Sequence, residues 1–304
     1  MKSFLIKAIF QFVPVMFLIS IIVFILVYLS GDPVTLMLSE TATDEDRNIL
    51  IAALGLDQPM YIQYLKYMSN LLQGDFGTSF RYKAAALPIV LERLPATFEL
   101  AIASMVVATV ISVPLGILSA TKRNSFLDVG ITGIAVLGKA MPSFWLGIML
   151  ILLFSVTMSF FPVSGHGTFA HLVLPAITLG TGIAAEMTLL IRSSMLEILS
   201  QDYIRTARSK GVTEQIVIYK HAFRNSLIPV ITIMSLQTSL LIGGTLITET
   251  IFSWPGMGQL VIQAVNARDM SIVQAAVFVI SILVIFSNLL ADLIYRYLDP
   301  RIKV

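Results

Sequence analysis

Five long stretches without Asp, Glu, Lys or Arg limit the folds open to this sequence more than any other feature. A helix crosses the hydrocarbon core of a bilayer with about 20 apolar residues. The charge-free stretches cover residues 8–31, 100–121, 140–185, 225–248 and 270–291. The third is 46 residues long and contains the turn-forming sequence Phe161-Pro162-Val163-Ser164-Gly165-His166-Gly167, so it has room for two crossings. The sequence therefore predicts six transmembrane helices, near residues 9–29, 98–121, 134–158, 172–192, 228–248 and 271–294.

Composition supports the same class. Hydrophobic residues make up 57% and charged residues 12% of the chain, whereas soluble domains carry about 25% charged residues. The first apolar run is too long for a cleaved signal peptide, which favours a retained first span. There is no Cys, and His166, His171 and His221 lack the spacing of metal ligands, so we expect no disulfide and no metal site. We predict an all-α polytopic membrane protein.

The distribution of Lys and Arg predicts the orientation, because short cytoplasmic loops are enriched in these residues. The turn at 159–171 has no Lys or Arg, and the loop at 249–270 has only Arg268. The opposite side carries Lys2, Lys7, Lys122, Arg123, Arg192, Arg205, Arg208, Lys210, Lys220, Arg224, Arg296, Arg301 and Lys303. We therefore expect both termini in the cytoplasm and residues 30–96 outside.

These spans divide the chain into three predicted parts. Residues 1–29 form the N-terminal cytoplasmic end and the first transmembrane helix, residues 30–96 a small extracytoplasmic insertion, and residues 97–304 a five-helix transmembrane core. Within the insertion, Thr43-Asp44-Glu45-Asp46 is typical of a helix cap and first turn. Aromatic residues in Met60–Leu72 predict an amphipathic helix against the membrane surface.

The loop at 193–227, between the fourth and fifth spans, is more elaborate than a membrane anchor requires. Its segment 202–224 contains five Lys or Arg residues, two acids and Gly211. Apolar residues recur at helical spacing before the glycine, and Thr213 can cap a second helix after it. We predict two short helices that meet at Gly211 and project into the cytoplasm. The alternative is a positive-inside anchor, which needs only a few basic residues beside a span.

The same segment resembles the cytoplasmic coupling loop of ABC importer permeases. Arg205-Thr206-Ala207 stand where the general pattern has Glu-Ala-Ala, Gly211 fits, and His221-Ala222-Phe223-Arg224 replace Ile-x-Leu-Pro. These departures match the dipeptide/oligopeptide/nickel branch, where Asp-Tyr-x-Arg-Thr-Ala-x-x-Lys-Gly and His-x-x-Arg-Asn-x-x-x-Pro are typical. We call residues 193–227 the coupling loop.

Motifs along nearly the whole chain are similar to the same branch. They are Gly31-Asp32-Pro33, Leu54-Gly55-Leu56-Asp57-Gln58-Pro59, Gly74-Asp75-Phe76-Gly77-Thr78-Ser79, Met141-Pro142-Ser143-Phe144-Trp145, Phe252-Ser253-Trp254-Pro255-Gly256-Met257-Gly258 and Asp299-Pro300-Arg301. The resemblance implies one permease subunit in the bacterial inner membrane. A homologous second permease, two ATPase subunits and an extracytoplasmic substrate-binding protein would complete the importer.

The resemblance also implies which residues couple this chain to the ATPases. They are Tyr203, Arg205, Thr206, Ala207, Lys210, Gly211, His221, Arg224 and Asn225. ATP and Mg would bind to the partner ATPases, so this chain would bind no cofactor and would not itself be an enzyme. The leading solutes are di- and oligopeptides. Nickel or metal–chelator complexes and glutathione are alternatives, since the branch shares its permease motifs across these solutes.

Four residues are candidates for the translocation path: Lys139, Ser143, Trp145 and Glu186. Lys139 and Glu186 fall inside predicted spans, where ionisable residues are costly and usually face an interior. The functional interpretation is that they line the path and meet the charged termini of a peptide. The structural alternatives are a lysine that extends toward the membrane surface and a glutamate that pairs with a neighbouring helix.

Two other classes of function fit less well. Gly133-x4-Gly138-Lys139-Ala140 nearly matches a phosphate-binding loop, but it lacks the Ser or Thr after Lys and lies at the start of a predicted span. An autonomous ion-coupled secondary transporter would be expected to contain inverted repeats, and the sequence displays none. A membrane enzyme would need clustered catalytic residues in the spans, which the sequence also does not display.

Overall fold

The computed structural model describes residues 2–29 and 43–298, which are almost entirely helical. The helices are α1 (Lys2–Leu29), α2 (Asp44–Leu54), α3 (Met60–Leu72), α4 (Ala86–Leu91), α5 (Leu94–Thr121), α6 (Phe126–Ala140), α7 (Ser143–Leu150), α8 (Phe169–Leu199), α9 (Asp202–Ser209), α10 (Glu214–Ile216), α11 (Arg224–Gly244), α12 (Leu246–Ile251), α13 (Met257–Asn266) and α14 (Met270–Leu298). Two π-helical segments follow α7 and α10, namely π1 (Ile151–Thr157) and π2 (Val217–Phe223). Strands β1 (Thr78–Ser79) and β2 (Ala84–Ala85) form one short antiparallel pair.

Four helical segments in the described part of the chain are long and apolar enough to cross a membrane. They are Ala86–Thr121, Phe169–Leu199, Glu214–Gly243 and Met270–Ile294. They coincide with the second, fourth, fifth and sixth predicted spans. The first prediction, residues 9–29, lies within the 28-residue helix α1, whose described side chains cover Phe12–Leu26. The count of six therefore stays a prediction.

The third predicted span, 134–158, is not one continuous helix. Helix α6 ends at Ala140, α7 begins at Ser143, and the two helical segments are bent by 103°. Proline disfavours helical conformation in the residue before it, and Met141 accordingly has extended φ −79° and ψ 124°. Pro142 then precedes the first residue of α7. The third predicted span is therefore a bent pair of helical segments.

One compact unit comprises Pro95–Gln259 and the chain from Phe286 onward. Its apolar core surrounds α8, where Met187, Ile191 and Met195 are fully buried. Small residues bring α5 close to α8: a Cβ on Gly180 would lie 2.8 Å from the backbone oxygen of Ser104. Helix contacts in membranes commonly use such small residues, because close packing replaces the hydrophobic driving force.

The other compact unit comprises Met1–Leu94 and Leu260–Ile285. The predicted start of α2 is confirmed: Asp46 N donates to Thr43 Oγ1 at 3.2 Å, and Thr43 N donates to Asp46 Oδ2 at 2.9 Å. The hydrogen bonds from Thr43 lower the pKa of the Asp46 carboxyl. Helix α3 packs against α1 through aromatic residues, with the Phe24 and Tyr64 ring centroids 5.3 Å apart. Burial raises the pKa of Tyr67 to about 12.

Some predictions fall outside the described residues. The motifs Gly31-Asp32-Pro33 and Asp299-Pro300-Arg301 lie there, as do Arg301 and Lys303 of the orientation argument. The three-part division of the chain stays a prediction as well.

Candidate functional site

The coupling loop contains the predicted helix–glycine–helix arrangement. Helix α9 is amphipathic, and its Ile204 is fully buried while most of its polar residues are exposed. Val217 and Ala222 of π2 are also fully buried, and π2 contacts α8, α9 and α11. The apolar side of the loop is therefore packed onto the ends of two long helices, and its charged side faces outward.

Gly211 terminates α9 in the left-handed conformation, with φ 75°. Its N–H donates to the Arg208 carbonyl at 3.0 Å, and the Val212 N–H donates to the Ala207 carbonyl at 3.2 Å. This is a common way for a helix to end, and glycine adopts it at little cost. No described atom lies within 4 Å of the position that a Cβ on Gly211 would occupy. The backbone conformation, and not the available space, therefore favours glycine here.

An ion pair that was not predicted from the sequence connects the two sides of Gly211. Arg208 Nη2 donates to Glu214 Oε1 at 2.6 Å, and Arg208 Nε donates to Glu214 Oε2 at 3.1 Å. Hydrogen bonding by Glu214 raises the pKa of the Arg208 guanidinium. Thr213 does precede α10, but its side chain makes no capping hydrogen bond. The predicted capping hydrogen bond from Thr213 is therefore wrong, and the bidentate ion pair stabilises this turn instead.

The predicted coupling residues lie mostly on the outer side of the loop. Asn225 Nδ2 donates to Tyr203 Oη at 3.2 Å and to the His221 carbonyl at 2.7 Å, so the structure brings these three together. Thr206 Oγ1 donates to the Asp202 carbonyl. The exposed members of the predicted set are Tyr203, Arg205, Thr206, Lys210, Gly211, Arg224 and Asn225, whereas Ala207 and His221 are half-buried.

Lys139 and Glu186, two of the four path candidates, lie together in a polar cluster. Lys139 Nζ lies 3.3 Å from Glu186 Oε1, and Gln237 Nε2 donates to Glu186 Oε2 at 2.7 Å. These side chains come from α6, α8 and α11, and we call them the 139–186–237 cluster. Ser143 and Trp145 are exposed at the start of α7, and neither side chain hydrogen-bonds with the described residues. The structure therefore brings two of the four together.

A second ion pair joins the start of α6 to α8. Asp128 is 3% exposed; Arg192 donates to it from Nε at 2.6 Å and from Nη2 at 2.8 Å. Ser119 Oγ and the backbone N–H of Asn124 donate to the same carboxylate. From the sequence alone, Arg192 was interpreted only as a cytoplasmic charge. The sequence did contain a sign that Asp128 has a structural role, because it lies three residues after Ser125, the residue that caps α6.

The motif at 252–258 surrounds a buried glutamate. Glu249 is fully buried and accepts hydrogen bonds from Thr97, Thr245 and the backbone N–H of Gln259. A Cβ on Gly256 would overlap its carboxylate. Gly256 is therefore required because the Glu249 carboxylate lies too close for a side chain. The carboxylate can be buried because three donors satisfy it.

Comparison with known proteins identifies the family. Residues 112–304 match the binding-protein-dependent transport system inner membrane component. The chain belongs to this family. Residues 1–101 match the N-terminal part of membrane components of such systems. The predicted all-α membrane fold and the predicted membership of the ABC importer permeases are confirmed.

Curated relatives match this permease over its whole length. The oligopeptide transport system permease protein AppB of Bacillus subtilis (strain 168) is 40% identical, with 100% of both chains covered. The glutathione transport system permease protein GsiC of Escherichia coli (strain K12) is 39% identical, with 100% of this chain and 99% of the relative covered.

A solved structure supports the fold alone. A chain of the MetNI methionine ABC transporter in an inward-facing conformation aligns with a TM-score of 0.59 at 19% identity. The alignment covers 69% of this chain and 96% of that one.

Proposed function

We propose that this chain is the permease subunit of an ATP-driven importer that moves di- and oligopeptides into the cytoplasm by alternating access. The observation that carries the proposal is the coupling loop, whose folded helix–glycine–helix unit presents Arg205 and Arg224 outward. A homologous second permease, two ATPase subunits and an extracytoplasmic substrate-binding protein complete the importer. Partner ATPases bind ATP and Mg and hydrolyse the nucleotide, and this chain carries out no chemistry on the solute.

The contacts of π2 support a mechanical role for the loop. Because π2 packs on α9, α8 and α11, a force on the coupling loop reaches the helices that carry Glu186 and Gln237. The Asp128–Arg192 ion pair extends the same connection to α6. ATPase closure would move these helices together, which is rigid-body alternating access.

Peptides are the solute class that the relatives favour. AppB is named for oligopeptides, and GsiC is named for glutathione, which is itself a tripeptide derivative. Glutathione is therefore the second candidate solute. Nickel or metal–chelator complexes stay a weaker alternative that rests on the shared motifs of the branch.

The proposed location is the bacterial cytoplasmic membrane, with both termini and the coupling loop inside. Ser164 and Ser209 are exposed and can be replaced singly by Cys in this cysteine-free chain. We expect an impermeant thiol reagent to label Ser164→Cys in intact cells, with the outer membrane permeabilised where there is one. Ser209→Cys should react only after the inner membrane is opened. Labelling of Ser209→Cys but not of Ser164→Cys in intact cells would show that the orientation is the opposite of the proposed one.

Uptake by the reconstituted complex tests the function. Vesicles containing this chain, the second permease and the ATPases should accumulate labelled trialanine or glutathione only with ATP and the binding protein. The double variant Arg205→Glu/Arg224→Glu should lose ATPase subunits on co-purification and reduce uptake about tenfold or more, because each reversal replaces attraction by repulsion.

The matched control for these reversals is Lys122→Glu/Arg123→Glu. Both residues are exposed on the same predicted side but lie outside the coupling loop, and this variant should retain the ATPases. Equal ATPase binding and uptake in both double variants would show that the loop is only a positive-inside anchor. Uptake of a labelled nickel chelate, with none of either peptide, would overturn the solute class.

A further inference from the structure

In the 139–186–237 cluster, Glu186 is bound more tightly by Gln237 than by Lys139. Gln237 donates to Glu186 Oε2 at 2.7 Å, whereas Lys139 lies 3.3 Å from Oε1. Charge-assisted hydrogen bonds between ammonium and carboxylate are typically about 2.7–2.9 Å long, so the lysine contact is the looser of the two. Side-chain exposure agrees, at 57% for Lys139 and 34% for Glu186. Glu186 is thus the fixed acceptor, and Lys139 is its displaceable partner.

The position of the cluster indicates that it faces a polar space. Glu186 and Gln237 lie within the membrane-spanning helices α8 and α11, and Lys139 lies at the end of α6 beside the bend. Charged side chains in spans usually face a helix bundle or a water-filled cavity, since exposure to lipid is costly. Three helices therefore present complementary charges and an amide at one place that a solute can reach.

We propose that the 139–186–237 cluster is a charge-exchange site for a zwitterionic peptide, a proposal that rests on the function above. The α-ammonium of the peptide displaces Lys139 Nζ from Glu186 Oε1. The released lysine then binds the carboxylate of the same peptide. Gln237 keeps hold of Oε2 throughout, so the acceptor stays in place while its partner changes.

Charge balance explains why a peptide with two free termini suits this site. In the empty site, Lys139 and Glu186 neutralise each other. In the occupied site, each of them neutralises one end of the solute, so no charge is left unpaired at either stage. Because the side chains of Lys139 and Glu186 are this exposed, their ion pair is weak and a second pair can replace it at little cost. A neutral or singly charged solute replaces only part of this pairing, so it gains less from the site.

Chemical restoration of the lysine charge tests the proposal in the complete importer. This chain contains no Cys, so Lys139→Cys introduces its single thiol, in a complex whose partners have been made cysteine-free. We expect Lys139→Cys to reduce trialanine uptake about tenfold, because a hydrogen bond to a charged group is lost. Aminoethyl methanethiosulfonate, which adds an ammonium, should restore most of the uptake. The neutral methyl reagent and the anionic sulfonatoethyl reagent should not.

Substrate protection separates contact with the solute from a structural role. Saturating trialanine during turnover should slow modification of Lys139→Cys several-fold. The control is Leu137→Cys, an exposed position about half a turn away on the same helix, which should react at the same rate with and without peptide. Glu186→Gln and the double variant Lys139→Met/Glu186→Gln should both lose uptake, whereas a purely structural pair would recover in the double variant.

Two results would overturn the exchange site while leaving the importer intact. One is parental uptake in Lys139→Cys or in the neutral double variant. The other is equal modification rates with and without peptide, which would show that the peptide does not contact this position. Failure of the unmodified parent complex to take up peptide would instead contradict the proposed function itself.

Discussion

Gly211→Val should yield a full-length, membrane-inserted chain that no longer supports uptake. Gly211 has φ 75°, a region in which non-glycine residues are strained by roughly 1–2 kcal/mol and β-branched residues by more. The strain is relieved when the turn opens, which changes the angle between α9 and α10 and pulls apart Arg208 and Glu214. The transmembrane helices keep their own packing. We expect uptake to fall about tenfold or more, measured with co-purification of the ATPases and the amount of chain in the membrane.

Two glycine variants make this result specific. Gly211→Asn should retain most uptake, because Asn tolerates the left-handed conformation better than other residues. Gly130→Val in α6 also has no described atom within 4 Å of its added Cβ, but its φ lies outside the left-handed range. That variant should retain uptake and ATPase binding. If Gly211→Val behaves like Gly130→Val, the shape of the coupling loop is unimportant for uptake.

Arg192→Met should destabilise the chain more than any surface substitution. Asp128 is buried at 3% exposure, and Arg192 supplies two of its hydrogen bonds. Removing the arginine leaves a buried carboxylate without its counter-charge, and a buried group left unsatisfied costs on the order of 1–3 kcal/mol, more when it is charged. We expect less chain in the membrane and a lower unfolding temperature in detergent.

The double variant Asp128→Asn/Arg192→Met isolates the ion pair. It removes the stranded charge, so it should recover part of the lost unfolding temperature, as a coupled pair does in a double-mutant cycle. Arg192→Lys keeps the charge but cannot form the bidentate contact, and it should fall between the parent and Arg192→Met. Additive losses in the double variant would mean that the two residues act independently.

Local patterns in the sequence were sufficient for much of the fold. The absence of charge located four long apolar helices, and the periodicity around Gly211 predicted two short helices and their turn. Thr43 and Asp46 predicted the start of α2, because both residues of that capping box lie within one helical turn. In each case the physical cause lies within a few residues of its effect.

Contacts between residues far apart in the sequence could not be predicted from such local patterns. Lys139 and Glu186 are separated by 47 residues, and Asp128 and Arg192 by 64. Which face of one helix meets another depends on packing, so their pairing could not be derived from spacing. Proline kinks or begins helices, but the bend of 103° beside Pro142 depends on what the two helical segments pack against. Arg208 and Glu214 were near enough to predict, and their opposite charges on either side of Gly211 were the overlooked signal.

The positions of the donors around Glu249 determine when, during synthesis of the chain, its hydrogen bonds can form. Its donor Thr97 is synthesised 152 residues earlier, whereas the backbone N–H of Gln259 follows after only 10 residues. At translation rates of about 5–20 residues per second, that interval lasts about 0.5–2 seconds. The carboxylate therefore emerges when its first partner already exists, and its last partner arrives almost at once. A nascent chain halted before Gln259 has left the ribosome would hold an incompletely bonded acid, whereas one halted after Gln259 has emerged would enclose it.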